Sequence, residues 1–443
     1  MSAAGLHKIG EDAAMPVAHG NALIDGVTGS DTDRAIDAVW RIESARLIAG
    51  LARMVPDVGV AEELAQDALV AALEQWPESG VPHNPGAWLM AVAKRRAIDL
   101  LRRRERFDRK LTELGHELET DQGAVPDIET GDIEDDLLRL VFVSCHPVLS
   151  TDARVALTLR LLGGLATDEI VRAYLVSEAT VAQRIVRAKR TLGDAGVPFE
   201  VPQGDELADR LPSVLETIYL IFNEGYVATA TAGEDWMRPA LYEEALRLGR
   251  VLAELMPTEP EVHGLVGLME IQASRTAART GPSGEPILLL DQDRARWNEL
   301  LIRRGLAALD RAEALGGAMG PYALQAAIAA CHARARSADE TDWPRIAGLY
   351  DELGRFMPSP VVELNRAVAV AMAFGPAAGL ELVDALLAEP ALKIYHLLPS
   401  VRADPLAKLG RRDGAQHEFE RAASLTRNER ERTLLLERTA ACD

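Results

Sequence analysis

Long apolar runs are missing from this chain. Nowhere does it hold the eighteen or so consecutive apolar residues that a membrane span needs, and residues 1–30 lack a basic start followed by an apolar stretch. Neither a membrane helix nor a secretory signal is expected. Aromatic residues make up only 5% of 443 residues. Strand-like alternation is absent and alanine and leucine dominate, so the expectation is an all-α fold. The three cysteines, Cys145, Cys331 and Cys442, are odd in number and far apart, which suits reduced thiols in a cytoplasm better than a disulfide framework. Cys145-His146 has no second Cys/His pair at ligand spacing, so no metal and no cofactor is expected. His263, His332, His396 and His417 are scattered and make no motif with an acid or nucleophile, which argues against an enzyme. Basic residues are the minority, 48 against 68 acidic ones, for a net charge of −20. The stretch from Glu113 to Asp136 holds ten acids and no lysine or arginine. With Gly123, Pro126 and Gly131 it reads as an extended or disordered spacer.

Against that acidity stands a basic helix, NPGAWLMAVAKRRAIDLLRRRER, from Asn84 to Arg106. On a 3.6-residue period Leu89, Met90, Ala93, Ala97, Leu100 and Leu101 share one side, suited to a core. Trp88, Val92, Arg95, Arg96, Asp99, Arg102 and Arg103 share the other, with Arg104 off its edge. An aromatic interleaved with guanidinium groups can stack on an unpaired base while neutralising phosphates, so this face reads as a nucleic-acid surface. A solvated basic face, with Trp88 as a core anchor, is the competing reading.

A second element, TDEIVRAYLVSEATVAQRIVRAKRTL, runs from Thr167 to Leu192. Thr167 offers an oxygen cap, and Asp168 and Glu169 suit the positive end of a helix. The first helix extends through Tyr174 and gives way near Leu175 and Val176, where Ser177 caps the next. There Val181, Ile185, Ala188 and Leu192 form a narrow apolar seam. Ala179, Thr180, Gln183, Arg187 and Arg190 lie on another face, with Arg184 nearby, and suit base edges and phosphates of a major groove. The spacing is that of a helix-turn-helix with its recognition helix second.

In this order the elements resemble an extracytoplasmic-function (ECF) sigma factor of the sigma-70 type. VAEELAQDALVAALEQWP, Val60 to Pro77, resembles the region-two helix that docks on RNA polymerase; the resemblance implies Glu62, Glu63, Gln66 and Asp67 as polymerase-binding residues. The basic helix resembles the segment that opens and reads the −10 element, implying Trp88, Arg95, Arg96, Arg102, Arg103 and Arg104 as DNA contacts. Thr167–Leu192 resembles region four, implying −35 contacts from Ala179, Thr180, Gln183, Arg184, Arg187 and Arg190. The chain departs from the family at Val60, where an acid often opens the docking motif, and at Arg95, where asparagine is frequent. The family likeness also implies that the acidic spacer threads the polymerase channel as a mimic of nucleic acid. Core RNA polymerase and promoter DNA are the partners implied. A stand-alone helix-turn-helix regulator with a C-terminal sensor is the other function class, and the Val60–Pro77 helix is what separates the two.

At about 150 residues per domain, the chain has room for two to four. The expected division is a mobile tail over 1–30, region two over 31–108, the acidic linker over 109–134, region four over 135–196 and a helical extension over 205–443. Breaks at Met256-Pro257, Gly281–Gly284, Gly316-Gly317, Met357-Pro358 and Gly375-Pro376 punctuate the extension. LGRVLAELMPTEPEVHGLVGLME and LYDELGRFMPSPVVELNRAVAVA look alike, and their Met-Pro pairs lie 101 residues apart, roughly three tetratricopeptide (TPR) periods. Lys408–Leu425 has the residue arrangement of one such repeat. The expectation is a TPR-like stack of helical hairpins, with plain antiparallel hairpins as the alternative. Its groove is expected to receive a peptide or protein ligand and to regulate the remainder. YLIFNEGYVA, Tyr219 to Ala228, marks its entrance and resembles a stretch of the ECF subgroup with a long C-terminal extension.

Overall fold

The computed structural model describes residues 24–55, 57–113, 133–174, 178–226, 239–281, 285, 287–426 and 429–442. Among these, all regular elements are helices. The Leu175–Ser177 turn and most of the acidic spacer lie outside the described residues.

The first compact unit holds α1 (Ile24–Ala52), α2 (Val58–Ser79) and α3 (Pro85–Glu113). Its core is built from small residues at helical spacing: Ala61, Ala65, Ala68 and Ala72 of α2 are fully buried, as are Ala93 and Ala97 of α3. Side chains this short let helix axes approach closely, while Leu47, Ile48, Leu51 and Leu89 fill the remaining space. Asn84 caps α3 by accepting the Ala87 N–H at 3.1 Å, and Pro85 takes the first helical position, where its missing N–H costs nothing. α1 already runs from Ile24, inside the stretch expected to be a tail. α3 continues to Glu113, beyond the expected end of region two.

In the second unit α4 (Ile133–Ser144), α5 (Thr151–Leu161), α6 (Thr167–Tyr174) and α7 (Glu178–Asp194) come first. Asp136, counted by its charge as part of the spacer, is fully buried on α4 and accepts Arg139 Nη1 at 2.5 Å. An acid that finds a cation one helical turn away can leave water, which composition does not reveal. α6 begins at Thr167, but its closing bond is the Ala166 N–H donated to Glu169 Oε2 at 2.8 Å. The start is therefore sealed by an acid reaching back, as in a capping box, with the cap one residue earlier than expected.

The extension follows as α8 (Asp205–Tyr226), α9 (Pro239–Leu255), α10 (Pro260–Ala273), α11 (Glu299–Ala314), α12 (Pro321–Arg334), α13 (Trp343–Phe356), α14 (Pro360–Phe374), α15 (Pro376–Ala385), α16 (Leu397–Lys408), α17 (Arg412–Leu425) and α18 (Glu429–Ala440). The described residues of the five expected breaks fall at or between helix ends, and Pro260, Pro321, Pro360 and Pro376 each take the first position of a helix. Neighbours in sequence pack as neighbours in space from α9 to α18, as expected of helical hairpins. An even tetratricopeptide period is not what separates the two Met-Pro hairpins. Between them lie α11, α12 and an excursion between Ser274 and Asn298, among whose described residues the helical elements are short 3-10 turns. α10 is buried on nearly every side and forms the axis of this part. Its glycines make that possible: a Cβ on Gly264 would lie 2.7 Å from the Ala323 nitrogen, and one on Gly305 of α11 would lie 2.5 Å from Ile271 Cγ1.

Candidate nucleic-acid interface

The two faces of α3 separate as the periodicity requires. Leu89, Ala93 and Ala97 are buried, Met90, Leu100 and Leu101 partly so, while Arg95, Arg102, Arg103 and Arg104 are exposed. Asp99 is exposed within the same strip. Arg96 is held back: its Nη1 lies 3.1 Å from Asp67 Oδ2, tying α3 to α2. Trp88 is half-buried, with its ring 5.3 Å from that of Trp76 in a T-shaped contact at 66°. Trp76 is the fully buried anchor. Trp88 thus leans one edge on the core and keeps part of its surface accessible, so both sequence readings describe part of the same ring.

On α2, Glu63 and Asp67 are exposed and Gln66 is partly exposed. Glu62 is a correction: it is buried, and its carboxylate accepts Gln66 Nε2 one turn on. Its side faces the unit's interior, because Glu62 shares its stripe with the buried Ala65 and Ala72. Val70 and Leu73, by contrast, are exposed apolar side chains on the side of α2 that carries Glu63 and Asp67. Sequence reasoning passed over them; valine and leucine in register with acids are the signal that marks such a mixed face.

In α7 the seam Val181, Ile185, Ala188 and Leu192 is buried as expected. Ala179, Gln183, Arg187 and Arg190 are exposed and Thr180 is partly so. Val186, 64% exposed, lies among them and was missed; a valine outside the seam is the mark of an apolar contact point. Arg190 is paired with Asp194 across one turn at 3.4 Å, with both side chains open to water. Arg184 departs from the expected group: its Nη2 lies 2.7 Å from Asp152 Oδ2 of α5, and it braces the recognition helix against the helix behind it.

The back of this helix-turn-helix is joined to the extension by polar groups, buried at Arg210 and Ser213 and half-buried at Arg247. Arg210 Nη2 donates to the Phe142 carbonyl at 2.9 Å, and Ser213 Oγ donates to the Cys145 carbonyl at 2.6 Å. Arg247 Nη2 reaches the Leu162 carbonyl at 2.6 Å. These acceptors stand at the ends of α4 and α5, where helical carbonyls have no partner of their own, so α8 and α9 supply their C-terminal caps. In return Arg154 of α5 donates to Ser213 Oγ and pairs with Glu216 of α8 at 3.1 Å. Cys145 sits inside this seam, 3.4 Å from Thr158 Oγ1, and burial pushes its thiol up. It is a small buried packing group, inert as a thiolate.

Comparison with known proteins follows the same divisions. Residues 42–107 match Sigma-70 region 2, residues 139–192 match Sigma-70, region 4, and residues 210–313 match a family of unknown function, DUF6596. An uncharacterized protein of Rhizobium meliloti (strain 1021) is 42% identical over 380 residues, covering 85% of this chain and 89% of that relative. A probable ECF RNA polymerase sigma factor, SigI, of Mycobacterium tuberculosis (strain H37Rv) is 26% identical over 168 residues, 38% of this chain and 57% of its own length.

Proposed function

The chain belongs to the sigma-70 proteins of ECF type that carry a DUF6596 domain behind region 4, and from this we propose how it divides the work of promoter recognition. It is an RNA polymerase sigma factor, a binding subunit whose chemistry belongs to the polymerase. α2 docks on core polymerase through Glu63, Gln66 and Asp67, joined by Val70 and Leu73. Arg95, Arg102, Arg103 and Arg104 follow the phosphates of the −10 region, with Trp88 as the surface on which an unpaired base stacks. Stacking of that kind contributes about 1–3 kcal/mol per base, comparable with a base-pair step. Ala179, Thr180, Gln183, Val186, Arg187 and Arg190 of α7 meet the −35 duplex. The extension regulates the activity of regions 2 and 4. Its place of work is where polymerase and chromosome are, the cytoplasm, and among the described residues no helix is long and apolar enough to cross a membrane.

The observation that carries this reading is the exposed arginine strip of α3, in which Arg95, Arg102, Arg103 and Arg104 meet no acid among the described residues, combined with the exposed face of α7 in a chain of net charge −20. A strongly acidic molecule repels DNA at long range, so promoter binding has to come from these two local faces and from polymerase. In transcription from matched promoters by core polymerase, Arg102→Gln with Arg103→Gln is expected to weaken use of every promoter alike. The log–log salt slope of binding should fall by about 2. Unchanged salt dependence would remove α3 from the DNA surface. Trp88→Ala is expected to impair strand opening, read by permanganate, more than binding of closed duplex.

A further inference from the structure

The C-terminal helices of the extension leave a cleft that promoter recognition does not use. Ala371 and Met372 of α14, Gly379 and Val383 of α15, and Val401 and Pro405 of α16 line a cavity of about 40 Å³ that is partly open to solvent. α15 lies against α14 so closely that a Cβ on Gly379 would come within 2.3 Å of the Ala371 Cβ, and α16 forms the other wall. Apolar side chains also stand at the edge. Phe374, between the lining residues Met372 and Pro376 in sequence, is 65% exposed, and Leu409, next to Lys408, is exposed as well.

Two charged residues line this cavity, and one of them is matched. Asp404 pairs with Arg438 of α18. Lys408 has the Met372 sulfur as its neighbour at 3.7 Å and meets no acid among the described residues. Gly410, at φ +73°, then turns the chain back, and the Arg411 N–H closes the turn on the Leu406 carbonyl at 2.9 Å. The turn gathers Lys408, Arg411 and Arg412 at one end of the α16–α17 hairpin. Both arginines are exposed, and neither pairs with an acid among the described residues. A lysine in the last turn of α16 suits the negative end of a helix dipole, so Lys408 by itself needs no partner. Arg411 and Arg412 are placed the other way. They are the N-cap and first residue of α17, at the positive end, where acids belong. No side chain caps that start, and Asp413 is the one acid of its first turn. Arginines held against the local field are stabilised when carboxylates come to them.

We propose that this end of the extension docks an acidic segment of a partner protein. The segment seats one aliphatic side chain in the cavity and sets its carboxylates against Lys408, Arg411 and Arg412. Size supports a side chain as the inserted group: the cavity has room for about three waters, comparable with one branched side-chain end. The cations lie outside it along the α16–α17 turn, so the occupant continues over the surface. A nucleic-acid strand fits less well, because its phosphate backbone meets the arginines but brings no aliphatic group for the methyl-lined wall. Docking here is independent of the promoter reading of α3 and α7.

The test selects short random peptides, displayed on phage, on the full chain and measures the enriched ones by fluorescence polarisation. They are expected to carry an aliphatic residue flanked by aspartate or glutamate. Affinity should fall by about tenfold or more on Arg411→Glu with Arg412→Glu, and by as much on Val401→Phe, which fills the cavity. The charge pair should at the same time raise the melting temperature by about 2–4 °C, because it puts acids at the positive end of α17. Lost binding with gained stability is a combination that a purely structural role does not give. Where Val401→Phe fails to fold, the charge pair and an alanine exchange of the peptide's aliphatic residue decide. The proposal is overturned if no acidic, aliphatic motif is enriched, or if the charge variant binds the peptides as the wild type does. It is equally overturned if the alanine-exchanged peptide binds as tightly, or if an oligonucleotide and no peptide binds at this turn.

Discussion

Arg187 and Gln183 are exposed on α7, beside the exposed Val186, while Arg184 one residue away is committed to Asp152. Replacing Arg187 or Gln183 with alanine is expected to weaken −35 binding by about 1–3 kcal/mol if the lost contact is bidentate to a base. Arg184→Ala should act instead through stability, visible as a lower melting temperature before any DNA is added. Footprinting on −35 variants distinguishes the two: loss of base preference belongs to Gln183 and Arg187 alone. His332 makes a separate prediction. Burial, with Arg275 and Arg294 nearby, depresses its imidazole from the ordinary 6.5 to about 4. Between those values the unfolded chain holds the extra proton. Stability is therefore fully present above pH 6.5 and is lost as pH falls toward 4, by on the order of 3 kcal/mol. Urea unfolding across that range should show the loss, and His332→Phe should flatten it by one proton's worth of slope.

At the scale of helices, the seam of α7 and the two faces of α3 were legible because a 3.6-residue period projects sequence directly onto a surface. The proline starts and the Met-Pro stops of the extension were legible for a similarly local reason, since proline lacks the N–H that a continuing helix requires. The partners of each helix were not. α10 carries Val262, Leu265, Leu268 and Met269 on several sides, and a helix apolar all round declares burial without naming its neighbours. Only the close crossings of α10 with α11 and α12 explain why Gly264, Gly267 and Gly305 are glycines. Gly264→Leu is expected to destabilise the extension by about 1–3 kcal/mol through forced separation of α10 and α12. Chemical denaturation of the full chain would register it as an earlier midpoint for the second unit, and an unshifted midpoint would show that the crossing can relax.

For the whole molecule the decisive feature is the polar seam between region 4 and α8–α9. Arg210, Ser213 and Arg247 satisfy the Phe142, Cys145 and Leu162 carbonyls, so a chain cut near residue 200 would leave helix ends open and strip a buried face. The cut removes those hydrogen bonds, each worth about 0.5–1.5 kcal/mol net, together with the packing of that face, and an isolated domain holds only about 5–15 kcal/mol in all. Residues 133–200 alone are expected to be largely unfolded, whereas residues 133–313 should give a cooperative melt. Circular dichroism of the two fragments decides it. Loss of transcription on deleting the extension is then explained by an unfolded region 4 before regulation is invoked. A charge-level reading assigned the acidic stretch up to Asp136 to the spacer; the buried Asp136–Arg139 pair moves that residue into the fold.

Periodicity, proline placement and the arginine run were enough to read an all-helical chain, the two-faced helices α3 and α7 proposed to meet DNA and a hairpin extension, because each depends on residues within a few turns of one another. Which of those arginines stay open depends on side chains brought together from about 30 residues apart, as with Arg96 and Asp67 or Arg184 and Asp152. Burial and pairing are properties of the packed molecule: the same guanidinium becomes a brace, a helix cap or an exposed contact according to what the neighbouring helix places beside it.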